Sequence, residues 1–212
     1  FRNIKPYINK NYNHMKTIRQ LTKVAVLSVA VLLGSIGSSR AQFEIGDNVL
    51  NVGVGIGSTL LGGYSYHDGS QTPAIGLSFE HGTWELGDGI VSLGGYLGYK
   101  SLKDEWRYGS YVSTWKWTYT IIGVRGAYHF PLDNEKLDLY LGAMLSYNIL
   151  NFKYTDTDPS YNSSFDWSGG YGSTAGFSAF GGIRYYVSDN FGLNAEVGYG
   201  IAYLTLGVSF KF

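Results

Sequence analysis

The stretch Tyr66-His67-Asp68-Gly69-Ser70-Gln71 holds an imidazole, a carboxylate and a hydroxyl within four residues. These are the three groups that acyl transfer needs: a base, a group to orient it and a nucleophile. Adjacency in sequence is also what turn chemistry looks like, because Asp-Gly and Ser bond their own backbone. A turn is therefore the reading, and His67, Asp68 and Ser70 remain the candidates for a lipid-modifying enzyme. A second group, Asp156, Asp158 and Asp166, resembles the spacing of calcium loops. It lacks the glycine and the distal glutamate of that twelve-residue pattern and reads as a solvated loop. The chain has no cysteine, no G-x-S-x-G and no His-x-x-x-His. Residue chemistry thus predicts no enzyme, no cofactor and no metal site.

A different set of polar residues stands out once the elements are drawn. Eight strand patterns recur, at about 48–57, 74–84, 90–101, 115–130, 137–154, 174–187, 191–199 and 201–212. Each alternates. Val52, Val54 and Ile56 share one face of the first. Leu139, Leu141, Leu145 and Tyr147 share one face of the fifth. Connections alternate in length, with long ones at 58–73, 102–114 and 155–173. Pro73, Pro131 and Pro159 all fall between strands, where a missing donor costs least. The fourth strand is untidy. Trp115, Trp117 and Tyr119 share the phase of Arg125, whereas Ile122, Val124, Tyr128 and Phe130 take the other. Either its upper part clears a membrane, which is favoured, or a bulge near Ile121 switches faces.

The first 41 residues read differently. Residues 1–14 precede Met15 and are read as an extension outside the fold. Residues 15–41 combine Lys16, Arg19 and Lys23 with the apolar run VAVLSVAVLLGSIG and end Ser39-Arg40-Ala41, the pattern of a secretory signal peptide. Seven of the 16 basic residues lie before position 42 and no acidic one does. Nine basic residues then face 16 acidic ones, a net charge of about −7. That balance disfavours nucleic acid as a partner.

An exported chain without disulfides, with 30 glycines, 19 tyrosines and an even number of strands with one apolar face each, fits a closed barrel in lipid. A barrel pairs every backbone group without an edge, which a bilayer demands. The fold class is therefore all-β: an eight-stranded antiparallel up-and-down transmembrane β-barrel over residues 42–212. The tail IAYLTLGVSFKF alternates and ends on an aromatic. With FGLNAEVGYG before it, it resembles the end of small bacterial outer-membrane barrels of the OmpA/OmpX-like or porin-like type. That resemblance implies an outer-membrane location, periplasmic termini and extracellular long loops. It also implies an assembly signal, comprising Tyr203, Phe210 and Phe212, read by the barrel assembly machinery.

If the apolar faces meet lipid, Glu80, Arg125, Arg184 and Glu196 point inward. Eight strands enclose little beyond their own side chains, so buried charges there must pair. Arg184 and Glu196 fall within a diagonal of each other on one hairpin. The network reads as a plug; the alternative is a gate in a narrow pore for ions or small solutes. His81 faces lipid or rim, and His129 the periplasmic rim. Tyr99, Trp106, Tyr108, Tyr111, Trp115, Trp117, Tyr128 and Tyr154 read as an interfacial girdle. The expected function is non-catalytic: a monomer with a structural or surface-interaction role through its loops. Its expected partners are outer-membrane lipid, lipopolysaccharide and a host or surface ligand.

Overall fold

The computed structural model describes residues 43–57, 70–158, 165–168 and 172–212. The expected extension, signal peptide and cleavage point, and His67 and Asp68, lie outside the described residues. The described residues form ten strands: β1 (Asn48–Ile56), β2 (Ser70–Gln71), β3 (Ala74–Leu86), β4 (Gly89–Tyr108), β5 (Tyr111–Phe130), β6 (Leu137–Asp156), β7 (Phe165–Ser168), β8 (Thr174–Ser188), β9 (Phe191–Tyr199) and β10 (Leu204–Lys211). Eight of them form a closed antiparallel ring in which each pairs with the next, and β10 closes on β1 from Val49↔Lys211 to Ile56↔Leu204. Beyond that register, Asn48 and Phe212 exchange two backbone bonds of 3.1 and 2.9 Å. The two short strands sit on the ring's edge: β2 on β4 and β7 on β6.

The pleat sets two faces. Val54, Ile75, Leu97, Val124, Leu145, Phe177, Val197 and Leu206 all point outward and are exposed. A soluble protein would not leave so continuous an apolar surface in water; hydrocarbon is the solvent that suits it. On β5 the outward positions from Phe130 to Thr120 span about 25 Å of height for a strand tilted by roughly 40°. That matches a bilayer core.

The strands are longer than the sequence pattern predicts. β4 and β5 have 20 residues each and join through Gly109-Ser110, so the predicted long loop 102–114 is instead the tip of a regular hairpin. Its residues lack strong apolar alternation because both faces lie beyond the lipid band, which hides them from a periodicity argument. Part of the predicted loop 155–173 is likewise strand, with β7 paired to β6 from Asn151↔Ser168 to Tyr154↔Phe165. The pairing of β4 with β5 runs unbroken from Ile90↔His129 to Tyr108↔Tyr111, so no bulge interrupts β5 near Ile121. Register shifts occur elsewhere, at Gly82/Trp84 and Tyr186/Ser188, both near the end that carries the termini.

Candidate functional site

The inward face carries the chemistry. Glu80 on β3, Gly94 on β4 and Arg125 on β5 occupy one row. Arg125 Nη2 lies 3.2 Å from Glu80 Oε1 and 2.6 Å from Glu196 Oε1 on β9. Arg184 on β8 donates from Nη2 to Glu80 Oε2 at 3.2 Å and from Nη1 to Asp138 Oδ2 at 2.5 Å. Its Nε donates to Ser209 Oγ at 3.0 Å, and Nη2 also reaches Asn51 Oδ1 at 3.1 Å. Ser209 Oγ in turn donates to Asn51 Oδ1 at 2.7 Å, across the β1–β10 seam. Tyr140 donates its hydroxyl to Glu196 at 3.0 Å and lies under the Arg184 guanidinium, 5.1 Å to the ring centre. Phe180 lies under Arg125 at 4.1 Å. Arg184 is 0% exposed, and Glu80 and Tyr140 are 1% exposed.

The four residues expected inside thus occupy one layer, but the pairing differs from the expected one. Glu196 is bonded to Arg125, whereas Arg184 reaches across the lumen to β3 and β6. A guanidinium has five donors in a fixed fork, and only the lumen centre offers enough acceptors to fill them. Asp138, a carboxylate outside the expected four, also belongs to the layer. It lies in the fifth predicted strand and alternates with Leu137 and Leu139, so its phase is the inward one.

His129 is not a rim residue. It is 3% exposed, with Nδ1 2.7 Å from Asp138 Oδ1 and Nε2 3.0 Å from Ser92 Oγ. A carboxylate only accepts, so Nδ1 carries the proton. The order serine, histidine, aspartate is that of a hydrolytic triad, yet the surroundings deny it that use. Ser92 is 1% exposed and lies within β4, paired with Gly82 and Ala127, so the amides around it are committed to the ladder and form no oxyanion hole. Phe43 stacks on the His129 ring at 3.9 Å and closes the space beneath. The relay fastens β4, β5 and β6 together. Lower still, Lys211 Nζ reaches Asp47 Oδ2 at 3.3 Å beside the buried Tyr186 ring.

Above the charge layer the lumen opens into a cavity of about 60 Å³, with Arg125, Glu196, Tyr96, Asn194 and Ser178 in its wall. That volume holds a few water molecules and no solute. Higher again, the inward side of the long hairpin is aromatic: Trp115 against Tyr154 at 5.4 Å and Trp117 against Phe152 at 5.5 Å. Asp156 accepts from Ser113 Oγ, the Tyr154 hydroxyl and the Asp158 amide, each at 2.8 Å. The Asp158 amide, then the Tyr154 and Ser113 hydroxyls, hold the Asp156 carboxyl below the usual carboxylate range. Asp156 and Asp158 thus lock a strand end, and among the described residues no group of three His, Cys, Asp or Glu is placed to hold a metal ion.

The sequence of this chain matches no family model and no curated protein. The fold has counterparts among solved structures. The chain is similar to small outer-membrane β-barrels. It aligns with the N-terminal barrel domain of OprF from Pseudomonas aeruginosa at 17% identity, over 79% of this chain and 98% of that one, with a TM-score of 0.45. The attachment invasion locus protein Ail of Yersinia pestis aligns at 13% identity over 80% and 100%, with a TM-score of 0.43. Neisserial surface protein A aligns at 18% identity over 78% and 95%, with a TM-score of 0.34.

The aromatic girdle needs correction. Tyr99 and Tyr128 stand outward at the two edges of the apolar band. Trp106, Tyr108, Tyr111, Trp115, Trp117 and Tyr154 belong to the long hairpin and its neighbour strand, and all six share the inward phase. Strand length, not ring type, decides this: the predicted strand ends were the lipid boundary, and the chain continues well past it. His81 is exposed at the terminal end and meets Asn48 Oδ1 at 3.0 Å. Ser70 is exposed in β2, opposite Lys103.

Proposed function

We propose that the protein is a non-conducting, non-catalytic barrel of the bacterial outer membrane, with both termini periplasmic, and that its work is done by the surface above the lipid band. One observation carries this reading: the lumen is filled across its section by Arg184, Glu80, Tyr140, Arg125 and Asp138, all nearly without solvent exposure. Moving a hydrated ion through that layer means breaking paired charges in a low-dielectric interior, a cost of several kcal/mol for each group left unpaired. A plug suits such a layer better than a gate. The aromatic wall of Trp115, Trp117, Phe152 and Tyr154 supplies rigid, amphipathic contact area where a surface ligand would approach.

The test is conductance of the refolded barrel in a planar bilayer. Folded protein is expected to leave the bilayer silent, and Arg125→Ala is expected to leave it silent as well, because Arg184 and Tyr140 still fill the section. Steady openings in the wild type that Arg125→Ala alters sink the plug and restore the pore.

Assembly is part of the same proposal. Tyr203, Phe210 and Phe212 on or beside the last strand are the proposed assembly signal, and Phe212 forms the backbone pair with Asn48 that seals the seam. Deleting Phe212 is expected to cut the amount of heat-modifiable barrel in the outer membrane several-fold, while protein refolded in detergent stays folded. Equal membrane levels of the truncated and full chains show that the ring is incidental.

A further inference from the structure

Lys103, Lys116 and Lys153 stand directly opposite one another on three adjacent strands: Lys103↔Lys116 between β4 and β5, and Lys116↔Lys153 between β5 and β6. All three are on the outward face and all are exposed. Cross-strand neighbours lie about 5 Å apart at Cβ, and like charges in that relation repel. The row is costly unless something negative sits on it. The Lys103 end carries a carboxylate. Glu105 meets Lys103 Nζ at 2.5 Å, and Asp166 is the register partner of Lys153. The middle position, Lys116, has a lysine on either side.

The concentration is unusual for this chain. After residue 41 there are nine basic residues against 16 acidic ones. Lys100, Arg125, Arg184 and Lys211 are buried in the barrel. The row therefore holds three of the five that remain outside, on a molecule whose net charge is negative.

Its height selects the partner. The apolar band on this side ends at the row Tyr99↔Thr120↔Ile149. Lys116 lies four residues further along β5, which at a tilt of roughly 40° is about 10 Å above the hydrocarbon edge. Lipid headgroups occupy that zone, and lysine stems can lean back toward it. Between the two rows lies only the small polar row Ser101↔Thr118↔Asn151. Thr118 and Asn151 in it are half-buried, and Ser101 is buried and bonded to Thr72.

We propose that Lys103, Lys116 and Lys153 form a clamp for the phosphates of a phosphorylated lipid headgroup packed against the outside of the β4–β5–β6 wall. This rests on the reading that the protein spans the outer membrane with the long hairpin outside. The clamp neutralises the row, and it fixes one side of the barrel to a ring of bound lipid.

The experiment uses the full barrel refolded in phosphatidylcholine vesicles, with or without lipid A carrying both phosphates, or lipid A with its phosphates removed. Binding is read from lipid retained on the purified barrel in a competition titration. Phosphorylated lipid A is expected to bind the wild type best, and the triple variant Lys103→Gln/Lys116→Gln/Lys153→Gln to bind about a hundredfold more weakly, from roughly a fivefold loss per lysine. Lys136→Gln, on the turn at the other end, is the matched control and is expected to change nothing. Equal binding by the triple variant, or equal binding of the dephosphorylated lipid, overturns the proposal. So does binding of a soluble sulfated polysaccharide to the wild type in pure phosphatidylcholine that is at least as tight as that of lipid A, which assigns the row to a soluble polyanion. Orientation is read separately by acylating whole cells with a membrane-impermeant amine reagent. Modification of Lys136 without Lys116 rejects the orientation itself, whatever the lipid titration gives.

Discussion

Arg184→Met is expected to cost about 3–5 kcal/mol of barrel stability, the range for removing one partner from a buried charge cluster. The side chain keeps most of its length, so packing against Tyr140 survives and the loss is electrostatic. Four hydrogen bonds go at once, those to Glu80, Asp138, Asn51 and Ser209. Two buried carboxylates, Glu80 and Asp138, and the half-buried Glu196 then face a single guanidinium. The measurement is the guanidinium-chloride unfolding midpoint of barrel refolded in vesicles. A second variant separates charge from shape. Arg184→Met with Asp138→Asn removes one guanidinium and the carboxylate at 2.5 Å from it. The double variant is expected to be more stable than the sum of the two single losses by about 1–3 kcal/mol, the usual coupling of residues in contact. Strict additivity would mean that Arg184 acts by filling space, and the network would lose its standing as the fastening of the lumen.

The same cluster shows what the sequence makes legible. Alternation is strong wherever one face meets lipid, so Val52, Leu77, Val124, Leu145 and Leu206 gave the strand phases, and phase alone put Glu80, Arg125, Arg184 and Glu196 inside. Pairing across the lumen is another matter. Arg184 and Glu80 are 104 residues apart, and Arg184 and Asn51 133 apart. Which inward residues share a height depends on the stagger between strands, and no single strand carries that information. His129 was lost for a related reason. Its phase is inward, but a histidine near a strand end looks like rim until Phe43 is seen stacked beneath it. The long hairpin was hidden because Lys103, Glu105 and Arg107 on one face and Asp104 and Trp106 on the other present no apolar contrast. Outside the lipid band, periodicity stops reporting strand.

Gly94→Ala is expected to be as damaging as the loss of Arg184, although it adds one carbon and no charge. Gly94 lies between Glu80 and Arg125 in their row, so the bond between those two side chains passes over a residue that has none. A Cβ built there would stand 1.7 Å from the Phe79 carbonyl oxygen, 2.7 Å from its carbon and 3.0 Å from Glu80 Cα. These are backbone atoms of the neighbouring strand. They cannot swing aside as a side-chain tip can, so β3 and β4 must separate just where Glu80 is held. The cost is expected to exceed about 3 kcal/mol, at or beyond the upper end for overpacking, because strand pairing and the ion pair are disturbed together. Gly95→Ala is the control one residue away. It faces lipid, its nearest neighbour would be Gly123 O at 3.9 Å, and it is expected to stay within about 0.5 kcal/mol of wild type. Both variants carry the same change in strand propensity, so a difference between their unfolding midpoints reports the row alone. Equal midpoints would show that the ring can breathe at Gly94, and a lumen that yields there could no longer be treated as a fixed plug.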